Sequence, residues 1–270
     1  MTDQLDTNTS PAARISAPLQ ADRQREIYRI TLQQGSVEVT ELAGRFGVTA
    51  ETIRRDLSEL QRAGQVRRVH GGAVPVERAN HEPMLVARDM QQPGEKLRMA
   101  ELAIEFVPAA GSVVIDSGST LQRLAEVFPT DVEAHVFTNS LPSALTMVRR
   151  GVEPISVLGG GVRPNTMAMV DAFTVDLVRE LLVDVLFISC DGLSFRRGLT
   201  TPYRDESMVK RAMIEAASKV IALVDHSKLG NGQVFPYADF DEIDVLITDS
   251  GADPDAIEAL RAHDLDVRIA

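Results

Sequence analysis

The chain has 270 residues, 44% of them hydrophobic, and a net charge of −11, enough material for one large or two ordinary domains with buried cores. Its single cysteine, Cys190, excludes an intrachain disulfide, and its place after an apolar run suits a small buried residue better than a nucleophile. No apolar run approaches the roughly twenty residues that a membrane helix needs, and residues 1–19 lack the basic start and apolar centre of a leader, so a cytoplasmic protein with no membrane partner is expected.

Residues 1–20, rich in Thr, Ala, Asp and Pro, have no helical or strand period and are expected to be a disordered extension. Residues 23–32 then predict a helix that packs through Ile27 and Ile30 and stops at Gln34-Gly35. Val39, Leu42, Ala43 and Phe46 recur at helical spacing in a second helix, preceded by Glu38 where Ser or Thr would cap better, and Gly47 supplies a sharp turn. Thr49 can cap a third helix whose buried stripe is Ile53, Leu57 and Leu60. Its opposite face carries Glu51, Arg55 and Ser58, flanked by Thr52 and Arg54. Gly64 can end this helix, residues 66–69 read as a strand with Arg67 and Arg68, and Gly71-Gly72 turn the chain back just after His70. This is the pattern of a winged helix-turn-helix over residues 21–76, with Thr49, Glu51, Thr52, Arg54, Arg55, Ser58, Arg67, Arg68 and His70 as the DNA-facing set.

Charge distribution agrees with that reading. Residues 23–78 hold ten arginines and seven acids, a net +3, which leaves −14 to the rest of a chain whose total is −11. Phosphate would be repelled by the acidic remainder, so DNA is approached through the N-terminal module.

Residues 77–94, with scattered Pro, Asn, His and charges, predict a connection in which Arg88 is a solvated charge. From residue 95 to 270 helices alternate with short apolar strands, at residues 113–115, 136–137, 155–158, 185–189, 220–224 and 245–248. Uninterrupted apolar strands of this kind belong to a mostly parallel sheet covered on both faces, a doubly wound α/β domain. Ligands in such sheets sit at the carboxyl ends of the strands. That rule selects Asp116, Ser117, Gly118, Ser119 and Thr120, a turn that can cradle phosphate at a helix start, then Thr138, Asn139 and Ser140, then Gly159, Gly160 and Gly161. Asp191, Gly192, Lys210 and Lys228 complete the candidates; Lys228 follows a strand, whereas Lys210, on the helix over residues 206–217, reads more plainly as solvated. His226 has no second His or Cys at ligand spacing, so neither a metal nor another cofactor is expected.

The run Thr52-Ile53-Arg54-Arg55-Asp56-Leu57, followed by Arg67-Arg68-Val69-His70-Gly71-Gly72-Ala73, resembles the signature of the DeoR family of bacterial repressors. Glu95-Lys96, Ile115 to Thr120, Thr138-Asn139-Ser140, Leu158-Gly159-Gly160, Gly198-Leu199-Thr200, Val209-Lys210, Asp225 to Lys228 and Ile247-Thr248-Asp249 keep the family's order and spacing. The resemblance implies a non-enzymatic, homo-oligomeric repressor of a carbohydrate-use operon, released from operator DNA by a phosphorylated sugar. Sensor domains of that family are similar to sugar-phosphate isomerases, which makes an isomerase-like enzyme the rival reading and an oligomerisation platform with a degenerate pocket the modest one. The isomerases carry Asp-Gly-Ala-Asp-Glu where this chain has Asp191-Gly192-Leu193-Ser194-Phe195, without the further carboxylates that proton transfer needs. Asp171 stands where the family more usually has glycine, and helix capping is its plainest role.

Overall fold

The computed structural model describes residues 20–34, 36–62, 65–69, 71–75 and 85–270. The extension over residues 1–19, the helix ends at Gly35 and Gly64, His70, and residues 76–84 of the connection lie outside the described residues. Two compact units divide the chain, Met1–Glu77 and Arg78–Ala270.

The first unit runs α1 (Gln20–Gln34), β1 (Val37–Glu38), α2 (Val39–Phe46), α3 (Ala50–Arg62), β2 (Val66–Val69) and β3 (Gly72–Pro75). Its core is made by Ile27, Ile30, Leu42, Ile53, Leu57, Leu60 and Val66, the apolar stripes read from the sequence, each full burial contributing about 1.5–3 kcal/mol. Glu38 gives α2 no side-chain cap, and Gly47 closes that helix at φ 62°, the left-handed turn between the two helices. The wing has three strands rather than two, in the order β1-β3-β2. Only glycine permits the added pairing: a Cβ on Gly72 would run into the Val37 carbonyl.

The second unit opens with α4 (Leu85–Asp89) and α5 (Pro93–Ala103), then β4 (Ala110–Ile115), α6 (Ser119–Val127), β5 (Glu133–Thr138), α7 (Leu141–Arg150) and β6 (Ile155–Val157). A hairpin, β7 (Val162–Arg163) and β8 (Ala168–Met169), leads to α8 (Ala172–Arg179) and β9 (Val183–Ser189). After β10 (Gly192–Ser194) and β11 (Gly198–Thr201) come α9 (Arg204–Ala216), β12 (Ala217–Leu223), β13 (Phe235–Ala238), β14 (Val245–Thr248), α10 (Pro254–Arg261) and β15 (Asp266–Ile269). Seven strands form one parallel sheet in the order β15-β14-β12-β9-β4-β5-β6. Separate apolar cores cover its two faces, one with Leu186, Ile188 and Leu246, the other with Ile115, Phe128 and Phe187. The strand order runs outward in both directions from the β4–β9 pair, so the switch point where open α/β sheets bind ligands lies between the ends of those two strands. A small antiparallel sheet, β10-β11-β13, stands apart from the main one.

Candidate functional site

In the first unit α3 starts as its sequence requires: the Thr52 N–H donates to Thr49 Oγ1 at 3.2 Å. Glu51, Arg54 and Arg55 are exposed and Thr52 and Ser58 half-buried. With Thr49 and Arg68 these residues line one shallow concavity. Arg68 Nη1 donates to Ser58 Oγ at 3.1 Å, tying the wing to α3. Arg54 pairs with Glu51 at 3.1 Å, whereas Arg55 is 79% exposed and reaches Glu59 only at 3.8 Å. Arg67 is exposed on the wing, outside that concavity. Asp56, from the same helix, is buried and takes Arg23 of α1 at 2.6 Å and Gln24 at 3.1 Å, so it positions α3 instead of facing outward.

In the second unit the ends of β4 and β9 meet. Asp116 N–H donates to the Phe187 carbonyl at 3.0 Å, and Asp116, buried, pairs with Lys210 reaching in from α9. Lys210 also donates to the Ser189 carbonyl at 2.9 Å, which accepts the Tyr237 hydroxyl at 2.8 Å as well. Burial pushes the Asp116 carboxyl up while Lys210 pulls it down. Burial likewise opposes the Lys210 charge, but Asp116, Glu206 and Asp191 outweigh it and raise the ammonium above its usual range. Gly118 ends this turn at φ 132°, where a Cβ would press on Ser189 Oγ, and α6 begins at Ser119 with its N-terminal N–H groups directed to the same place.

Three cations converge there. Arg88, Lys96 and Lys228 line a cavity of about 10 Å³ with Ser119, Thr120 and Asp225. Arg88 pairs with Asp191 at 3.0 Å. Burial raises the Asp191 carboxyl, but Arg88 and Lys210 outweigh it and hold it below the ordinary value. Lys96, on α5, is 4% exposed and donates to the Arg88 carbonyl at 2.6 Å. Burial brings its pKa down to about 8, Arg88 and Lys228 acting the same way and Asp225 and Asp89 opposing. Buried and half-buried cations beside a helix N-terminus suit a phosphate dianion.

Residues 23–79 match the family profile described as a DeoR-like helix-turn-helix domain, and residues 91–250 the profile of the DeoR C-terminal sensor domain. The chain belongs to the DeoR family. It is 33% identical to the HTH-type transcriptional regulator GlpR of Haloferax volcanii, over 90% of this chain and 95% of that one, and 32% identical to the uncharacterized HTH-type transcriptional regulator YulB of Bacillus subtilis, over 90% and 93%. A putative aga operon transcriptional repressor of Escherichia coli O157:H7 is 28% identical over 92% and 93%. Among solved structures, ribose 5-phosphate isomerase A from Neisseria gonorrhoeae is similar over 49% of this chain and 52% of that one, with 19% identity and a TM-score of 0.37.

Within this DeoR-family sensor unit the candidates do not all converge. Asp116 to Thr120, Asp191, Lys210 and Lys228 surround the β4–β9 switch point. Lys210 is 5% exposed and ion-paired, not solvated, because α9 packs across the sheet end and points it at Asp116. Arg88, expected as a solvated linker charge, has a side chain only 12% exposed against Asp191. In the second loop Thr138 Oγ1 accepts from Ser140 N–H, Ser140 caps α7 through Ser143 N–H, and Asn139 Nδ2 holds the Met169 carbonyl while its Oδ1 is buried without a partner among the described residues. At the third loop the Asp171 carboxylate accepts from Gly161 N–H at 2.6 Å and caps α8 through Thr174 N–H at 3.0 Å. Those two bonds hold it below its usual pKa. Gly159 gives its carbonyl to Thr174, and a Cβ on Gly160 would strike Thr174 and Asp171, so both glycines hold the loop against α8. Gly192 is likewise a packing requirement, since a Cβ there would collide with the Asn231 carbonyl. His226 pairs with Asp249 at 2.6 Å and touches Gln92 at 3.1 Å. Burial pushes the Cys190 thiol up to about 12, an inert group. Lys96 is the residue missed by position: it occupies a stripe with Met99, Ala100 and Ala103, and a lysine at the first place of an apolar stripe was the available signal.

Proposed function

We propose that this DeoR-family regulator is a cytoplasmic, homo-oligomeric repressor of carbohydrate-use genes, organised as a reader over residues 21–76, a connection over 77–94 and a sensor over 95–270, and released from its operator by a phosphorylated sugar. The observation that carries the ligand class is the convergence of Arg88, Lys96 and Lys228 on the N-terminus of α6: three cations and the first N–H groups of a helix answer a phosphate, and the carboxylates behind them answer sugar hydroxyls. Binding without turnover is favoured by the pairing of those carboxylates. Asp116 is committed to Lys210 and Asp191 to Arg88, and Ser194 and Phe195, where an isomerase carries further acid/base groups, have no carboxylate. The DNA-facing set is Thr49, Glu51, Thr52, Arg54, Arg55 and Ser58 with the wing residues Arg67, Arg68 and His70. Among the described residues no helix is long and apolar enough to cross a membrane.

A thermal-shift screen against a panel of sugar phosphates tests the reading, since a ligand specific to the folded state stabilises it by mass action. One member should raise the melting temperature and dissociate operator complexes. A panel without any such member, or aldose–ketose exchange that scales with protein, would turn the reading over.

A further inference from the structure

The sensor unit carries an apolar flank almost without acidic residues. On α7, Ala144 and Met147 are buried, whereas Leu141, Leu145 and Val148, at i, i+4 and i+7, are 42%, 52% and 60% exposed and form a second apolar stripe facing outward. The stripe continues into Met167, 42% exposed, whose carbonyl accepts the Leu141 N–H at 3.1 Å. Val157 on β6 and Val162 on the hairpin are nearly half exposed as well. Single exposed leucines need no explanation, but six large apolar side chains along one flank mark a contact surface.

Charge indicates what covers it. Residues 134–170 contain one acid, Glu153, against three arginines, in a chain with 39 acids. Two copies of so acidic a body repel one another over most of their surface, and here they meet without that repulsion. β6 is also the edge of the seven-stranded sheet, so its outer backbone groups lie on this same flank. A two-fold axis beside that edge sets β6 against β6 and the α7 stripe near its counterpart, an isologous contact. A helix-turn-helix reader that spans two half-sites requires such a pair.

We propose that the α7 stripe and the β6 edge are the docking surface for a second copy of this chain. The inference rests on the homo-oligomeric part of the function proposed above and names the surface responsible. Sedimentation velocity of the full-length protein over a range of concentrations tests it, with Leu145→Glu and Val148→Glu as separate variants. Leu182→Glu is the control, since Leu182 is 90% exposed and lies outside this flank. The parent and the control should sediment as dimers. Each flank variant buries an unpaired carboxylate at the contact and should raise the dissociation constant by roughly 100-fold or more, with an unchanged far-ultraviolet circular dichroism spectrum. Two positions keep the test decisive if one variant misfolds. A dimeric parent whose folded flank variants remain dimeric would overturn this surface and leave the oligomer standing; a monomeric parent would overturn both.

Discussion

To hold the phosphate proposed above, Lys96 would have to carry its proton, and its burial makes that conditional on pH. The pKa falls from 10.5 to about 8 in the folded protein, so between those values the unfolded chain holds a proton that the native state has released. Lys96 therefore opposes folding most below pH 8, and that penalty is relieved as pH rises through the window. Ligand affinity runs the other way, because a dianion needs the charged ammonium. Affinity for the stabilising sugar phosphate should be highest below about pH 8 and decline above it, while Lys96→Arg, whose guanidinium stays charged, should show a flatter profile. Isothermal titration at several pH values checks this, and coincident profiles for the two proteins would remove Lys96 from the site. Its neighbours have fixed roles for the same electrostatic reason: Lys210 is held charged by the carboxylates around it, and Cys190 is held neutral by burial.

At the scale of the element, α3 owes its position to an ion pair, and the reading role proposed for it falls to the groups without strong internal partners. Removing Asp56 takes away the carboxylate that the Arg23 guanidinium, 9% exposed as a side chain, meets at 2.6 Å. Asp56→Ala should destabilise the reader by roughly 3–5 kcal/mol. A melting curve in which the reader transition does not move would show that the pair contributes little. Arg55 is the opposite case, exposed and only loosely paired. Arg55→Ala should leave the melt alone, weaken operator binding by about 1–3 kcal/mol and flatten preference at one base position, whereas Arg67→Ala should weaken all sequences alike and reduce the salt dependence. Parent-like binding by both variants on a panel of mutated operators would remove these residues from the interface. The helices of this unit were legible because their apolar stripes repeat every three to four residues. The two-residue strand β1 carries no period and exists only because Gly72 admits it beside β3.

At the scale of the molecule, a cavity of about 10 Å³ holds roughly one water, so a sugar phosphate enters only if part of the wall moves. α4 is that wall's tether: Arg88 reaches Asp191, Lys96 holds the Arg88 carbonyl, and Asp89 takes Arg123 at 2.6 Å. It is also the first described element after the connection from the reader. A ligand that recruits Arg88 and Lys96 changes the bonds that hold α4, and differential binding of this kind is what shifts a two-state equilibrium. Effector should change parent operator affinity by about 5- to 150-fold, and Arg88→Ala should bring that ratio towards one while still binding DNA. Operator titrations with and without effector measure it, and an unchanged ratio would place the coupling elsewhere. By itself the sequence determined the helices of the first unit and six of the seven parallel strands, because stripes and apolar runs are written locally along the chain. β15, an alternating edge strand, and the small β10-β11-β13 sheet escaped it, being short and defined by their partners. Only tertiary structure decided which of the candidate residues come together at the switch point. Lys210 meets Asp116 across 94 positions, Arg88 meets Asp191, and Asp171 engages the glycine loop: a charge's role depends on what folding brings within a few ångströms of it, and no local pattern encodes that.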